Sequence, residues 1–149
     1  MTLKERIIED MKSALRAGDK ERLSTVRLAL AAIKQREVDE RITLDDGQVL
    51  AILEKMIKQR KEAIGQFQAG GRADLVAKES AEVSILKGYM PARMSDAELD
   101  ALISGAIAST GAASAKDMGK VMALVKSQAQ GRADMGTVSA RVKEKLASR

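Results

Sequence analysis

Apolar residues recur along this chain at three- and four-residue spacings, broken by glycine and short polar runs, which is the pattern of successive amphipathic helices. Leu3, Ile7, Met11, Ala14 and Leu15 share one face of a helix from about Leu3 to Ala17, with Gly18-Asp19 as stop and next start. Leu23, Val26, Leu30 and Ile33 form the second stripe, and its polar end, Lys34-Gln35-Arg36-Glu37-Val38-Asp39-Glu40-Arg41, alternates in sign and is expected to fray into a solvated loop. Thr43 with Asp46 resembles a capping arrangement, and the acidic pair Asp45-Asp46 suits a helix N-terminus. The longest helix is predicted from about Asp45 to Gln68, with Val49, Ile52, Leu53, Met56, Ile57, Ile64 and Phe67 in register. Gly65 inside it costs about 1 kcal/mol relative to alanine. Gly70-Gly71 ends it, Asp74 begins a fourth helix carrying Val76, Val83, Leu86 and Met90, and Pro91, the only proline, forbids continuation.

Beyond Pro91, Ser95-Asp96-Ala97-Glu98 is a full capping box before the stripe Leu99, Leu102, Ile103, Ala106 and Ile107. The segment from Tyr89 to Met94 is therefore the expected boundary between an N-terminal helical bundle, residues 1–90, and a C-terminal three-helix domain, residues 95–149. After a small-residue link from Ser109 to Ala115, a short helix places Met118, Val121, Met122 and Val125 on one face and Lys116, Lys120 and Ser127 on the other, with Lys126 at the margin. Gly131 suits the left-handed residue after that helix, and Asp134 the N-cap of a last one running to about Ala147. There Met135, Val138, Val142 and Leu146 point inward, and Arg141 and Lys145 share an outer flank. The segment Gln68-Ala69-Gly70-Gly71-Arg72-Ala73-Asp74 recurs as Gln128-Ala129-Gln130-Gly131-Arg132-Ala133-Asp134, and both copies fall between predicted helices.

Composition reinforces an all-α fold of two small helical domains. Aromatic residues are 1% of the chain, a single Phe67 and a single Tyr89, so Leu, Ile, Val, Ala and Met must build the cores. With no cysteine and no histidine, disulfides, thiolate nucleophiles, imidazole bases and the usual zinc ligands are all excluded. No apolar run approaches membrane-spanning length and no signal-peptide core is visible, so a soluble cytoplasmic protein with no membrane partner is expected. Charge is distributed unevenly. The formal net charge of +5 falls in residues 112–149, where Lys116, Lys120, Lys126, Arg132, Arg141, Lys143, Lys145 and Arg149 face only Asp117, Asp134 and Glu144. Such asymmetry points to an anionic partner, nucleic acid before membrane.

The candidate binding residues are Lys116, Met118, Gly119, Lys120, Lys126, Gly131, Arg132 and Asp134. Lysine and arginine on one side of a helix pair, with backbone N–H groups at helix starts, suit phosphates rather than base edges. The lack of aromatics there argues against a base-stacking platform, hence for structured RNA. No catalytic, metal or cofactor residues are assigned. Carboxylates interleave with Lys and Arg without metal-loop spacing, no phosphate-binding G-x-x-x-x-G-K-S/T loop occurs, and the serines have no histidine partner. A Ser–Lys arrangement of Ser114 with Lys116 or Lys120 is the one nucleophile pairing left open.

Lys116-Asp117-Met118-Gly119-Lys120-Val121-Met122 followed by Gly131-Arg132-Ala133-Asp134 resembles the signature of the GatB/YqeY family. The resemblance extends to the stretch from Ile57 to Phe67, to Gly71-Arg72-Ala73-Asp74-Leu75, and to the stretch from Glu82 to Pro91, so it covers essentially the whole chain. It implies a stand-alone two-domain helical protein similar to the tail of the B subunit of tRNA-dependent amidotransferase, a tail that contacts the outer corner of tRNA far from the reacting centres. The family also carries an association with carbon-nitrogen ligase activity using glutamine as amide donor. Where the family often continues its Gly-Arg-Ala-Asp with Gly-Lys, this chain has Met135-Gly136-Thr137, and a lysine contact there does not carry over.

Three functional readings follow. The first is an accessory module that binds the corner of tRNA through phosphate contacts and is not catalytic alone. The second is a protein-interaction module docking on an amidotransferase or aminoacyl-tRNA synthetase through a Met-rich apolar surface. The third is amide transfer from glutamine as part of an amidotransferase.

Overall fold

The computed structural model describes residues 1–148, and every regular element among them is helical: seven α-helices and one 3-10 turn, with no strand. The chain divides into two compact units, Met1–Met90 and Pro91–Arg149.

In the first unit, α1 (Leu3–Ala17) opens on a Thr2–Glu5 capping box and closes at left-handed Gly18. The helix α2 (Lys20–Glu40) is capped by Asp19, whose carboxylate accepts from the Arg22 amide. Its polar end does not fray as expected. Helical hydrogen bonding persists to Glu40 because that end is anchored: Glu37 accepts from Lys4 Nζ at 2.7 Å and from the Leu44 amide at 2.9 Å. Gln35 to Asp39 and Arg36 to Glu40 add pairs one helical turn apart.

The start of α3 (Asp46–Ala69) also departs from expectation. Asp45, not Thr43, is the N-cap, in a capping box with Gln48. The Asp46 carboxylate instead accepts from the Leu3 amide at 2.9 Å, tying the starts of α1 and α3 together. The helix α4 (Ala73–Lys87) packs along α3 as α1 packs along α2. Ile7, Val26, Ile33, Val49, Leu53 and Leu86 lie at the centre of this core, essentially without solvent exposure. Leu15, placed on the inward stripe by spacing, is 58% exposed, because the buried face of α1 runs through Ile7 and Ala14. One ion pair is largely buried here: Arg60 Nε to Glu82 at 2.8 Å, with Arg60 also donating to the Met56 carbonyl.

In the second unit, α5 (Asp96–Thr110) opens on the Ser95–Glu98 capping box, as its sequence predicts, and closes at left-handed Gly111. A 3-10 turn, Ala115–Asp117, leads into α6 (Met118–Ala129), and α7 (Met135–Ala147) follows. Their apolar faces meet in a second core centred on Ile103, Val121, Val125, Val138 and Val142.

A candidate nucleic-acid interface

The side chains proposed from sequence fall into two groups. Val121, Val125 and Ala129 turn α6 toward the core, with Met118 and Met122 packed beside them, which leaves Gly119, Lys120 and Lys126 exposed. Lys116 is exposed on the preceding 3-10 turn. None of the three lysines makes a side-chain hydrogen bond or ion pair with a described residue; Lys120 interacts only through space, with Asp117. No side chain caps α6, because the Asp117 carboxylate at its N-cap turns away to accept from the Ala113 amide at 3.0 Å. That bond, then the Ser114 amide and the Lys120 charge, hold the Asp117 carboxyl below its ordinary range. A Cβ added at Gly119 would meet nothing within 4 Å, so the backbone there is open to a close approach from outside.

The other four candidates serve the fold. Met118 packs against the core. Gly131 takes φ +78°, the left-handed conformation that reverses the chain between α6 and α7. Asp134 is the N-cap of α7 and accepts from the Thr137 amide and hydroxyl, each at 3.0 Å. Arg132 donates from Nε to the Ala92 carbonyl at 2.7 Å and from its terminal nitrogen to Glu98 at 3.3 Å. The Met94 amide donates back to the Arg132 carbonyl at 2.8 Å. Ser95 and then Arg132 hold the Glu98 carboxyl below its usual value.

The outer flank expected for Arg141 and Lys145 is not free either. Arg141 reaches Asp96 at 2.8 Å and Asp100 at 3.4 Å, and Lys145 donates to Ser104 at 2.8 Å. Counting charge from Ala112 onward misses the acids of α5 in the same unit, and these neutralise much of the C-terminal excess. What remains among the described residues of the unit is Lys116, Lys120 and Lys126, joined by Arg93 before α5 and by Lys143, an exposed α7 residue with no described ion pair that spacing alone does not single out. Ser114 does not face a lysine amine: its hydroxyl accepts from the Lys116 amide at 3.3 Å and serves the turn.

A profile of the family described as "Yqey-like protein" matches residues 4–146. The chain belongs to the YqeY-like family. Among its curated relatives is the "Altered inheritance of mitochondria protein 41, mitochondrial" of Lachancea thermotolerans, 37% identical over 99 residues, which cover 64% of this chain and 53% of that protein. The protein of the same name from Eremothecium gossypii is 40% identical over 85 residues, covering 56% and 46%. The chain thus matches about half the length of these relatives, both named as mitochondrial. Among the described residues of this YqeY-like protein, no helix is long and apolar enough to cross a membrane.

Proposed function

We propose that this YqeY-like protein is a cytoplasmic tRNA-binding accessory module that grips the folded corner of tRNA by its phosphates, through Lys116 and Lys120 beside the open backbone of Gly119 and through Lys126 about two turns further along the same face of α6. The observation that carries the reading is the contrast within one unit: Arg132, Arg141 and Lys145 are held by α5, whereas these lysines are exposed and unpaired, Lys116 and Lys120 beside a helix start that no side chain caps and Lys126 in the last turn of the same helix. A helix N-terminus directs partial positive charge and N–H donors outward, and lysines around it add mobile charge, which is the chemistry of phosphate binding without base readout. The similarity to the amidotransferase tail supplies tRNA as the phosphate carrier.

The test is equilibrium binding of tRNA to the full chain and to the triple variant Lys116→Ala/Lys120→Ala/Lys126→Ala over a range of salt. Each phosphate contact removed lowers the slope of log affinity against log salt by about 1. Parallel slopes for the two proteins would overturn the reading.

The structure bears directly on the basis of the second reading. Met56 is buried, and Met11, Met90, Met94, Met118, Met122 and Met135 pack against the two cores, which leaves Met1 as the exposed methionine. The methionines thus serve the two cores, and the second reading draws no support from them.

A further inference from the structure

The outward face of α2, in the first unit, is basic and apolar but carries no acid. The helix buries Thr25, Val26, Ala29 and Ile33, and the opposite arc of about 120° holds Lys20, Arg27 and Lys34 with Ser24, Ala31, Gln35 and Val38 between them. The three cations stand seven residues apart, about 10.5 Å along the axis at each step. All are exposed, and none enters an ion pair among the described residues. Acids are not scarce on this helix. Asp39 and Glu40 pair with their own neighbours, and Glu37 faces Lys4. They stand off the face that Lys20, Arg27 and Lys34 share.

Around Lys20 and Arg27 the helix presents an open, shallow surface made of Leu23, Ser24, Leu28 and Ala31. Leu28 is 46% exposed and Val38 63%, two of the five large hydrophobic residues left exposed on the described chain. A phosphate backbone gains nothing from leucine and valine, whereas an apolar side chain of a partner gains by covering them. A helix lying in a membrane surface needs a broad apolar face with bulky residues, and the centre of this face carries Lys20 and Arg27 with only Ser24 and Ala31 between and after them. Ser24 and Ala31, alternating with the cations, leave room for the side chains of a second helix to reach Lys20, Arg27 and Lys34, and a seven-residue repeat of charge matches the period at which two packed helices stay in register.

We infer that the outer face of α2 is a docking surface for an acidic amphipathic helix of a partner protein, one that sets apolar side chains along the flank of Leu28 and Ala31 and carboxylates at seven-residue intervals opposite Lys20, Arg27 and Lys34. The surface is distinct from the lysines of the second unit and does not depend on the tRNA reading.

The test is fluorescence anisotropy at low salt with the full chain and a labelled 21-residue amphipathic peptide bearing leucines on one stripe and Glu at every seventh position. The expected result is saturable binding, weakened at least tenfold by Arg27→Glu/Lys34→Glu and recovered in that variant by a peptide with Lys in place of Glu. Circular dichroism checks that the variant is folded; if it is not, Ala31→Glu, at an exposed position, provides the same tenfold test. Equal binding of the Glu and Lys peptides to the unaltered chain would overturn the proposal. So would a dimer of the chain in sedimentation that Arg27→Glu/Lys34→Glu dissociates, which would give the face to a second copy. Loss of tRNA binding in that variant with no peptide binding by the unaltered chain would give it to nucleic acid.

Discussion

Arg132 Nε donates to the Ala92 carbonyl at 2.7 Å, joining the turn before α7 to the chain just after Pro91. The same guanidinium reaches Glu98 in the first turn of α5, so one side chain fastens three segments of the second unit. Arg132→Ala is therefore expected to lower the stability of that unit by about 1.5–3 kcal/mol, the range for a charge-assisted hydrogen bond, with the partly exposed Glu98 pair adding little. Denaturant unfolding measures it. Any fall in tRNA affinity in this variant should disappear under conditions where it is fully folded.

Gly119→Ala is expected to separate stability from binding. The added methyl group meets open space, and alanine is favoured over glycine within a helix by up to about 1 kcal/mol. The variant should melt at a higher temperature and bind tRNA more weakly, because the methyl group occupies the approach to the backbone. Calorimetry and binding on one preparation check both.

The helix pattern and both cores were legible because apolar spacing needs only local information, and the glycines at 18, 111 and 131 fall at left-handed φ where helices turn. What spacing could not show was which charges find partners across the chain. Glu37 holds the end of α2 through Lys4 and Leu44, a contact between distant positions that no window along the sequence contains. The repeated Gly-Arg-Ala-Asp makes the same point. Asp134 caps α7, but Asp74 lies inside α4 and is taken by its own neighbour Arg72 at 3.2 Å, while Arg132 is drawn to Ala92 and Glu98. Identical tetrapeptides thus divide their work differently according to what packs nearby. For the candidate interface, position along the chain identified the lysines, and only the fold separated them from Arg132 and Asp134.

The buried pair Arg60–Glu82 predicts an asymmetric response to mutation. Glu82→Ala leaves a guanidinium without its carboxylate in the first unit and is expected to cost about 3 kcal/mol. Replacing both residues with leucine and methionine should cost less than the single change. Urea unfolding of the three proteins tests the order.

Stability should decline at both ends of the pH scale for different reasons. The Lys4 and Leu44 hydrogen bonds lower the Glu37 carboxyl, and Ser95 and the Ala113 amide do the same for Glu98 and Asp117. Their contribution is present above the ordinary carboxylate range, near pH 4–4.5, and is lost as pH falls through their lowered folded values. Burial and the 2.5 Å hydrogen bond to Asp10 raise the Tyr89 hydroxyl above its ordinary value. Its contribution is full below about pH 10 and is lost as pH rises through the raised folded value. With one tyrosine in the chain, ultraviolet titration follows it directly. The expected ionisation lies above pH 10 and coincides with alkaline weakening of the first unit, which Tyr89→Phe should remove.

The central claim is that tRNA covers the exposed lysines along the outer face of α6 and the turn before it, and lysine acylation footprinting of the full chain with and without saturating tRNA measures that coverage residue by residue. The account predicts strong protection of Lys116, Lys120 and Lys126, and unchanged reactivity at Lys20 and Lys34 on α2. Equal reactivity of Lys116, Lys120 and Lys126 in the two states, under conditions where tRNA is bound, would contradict it.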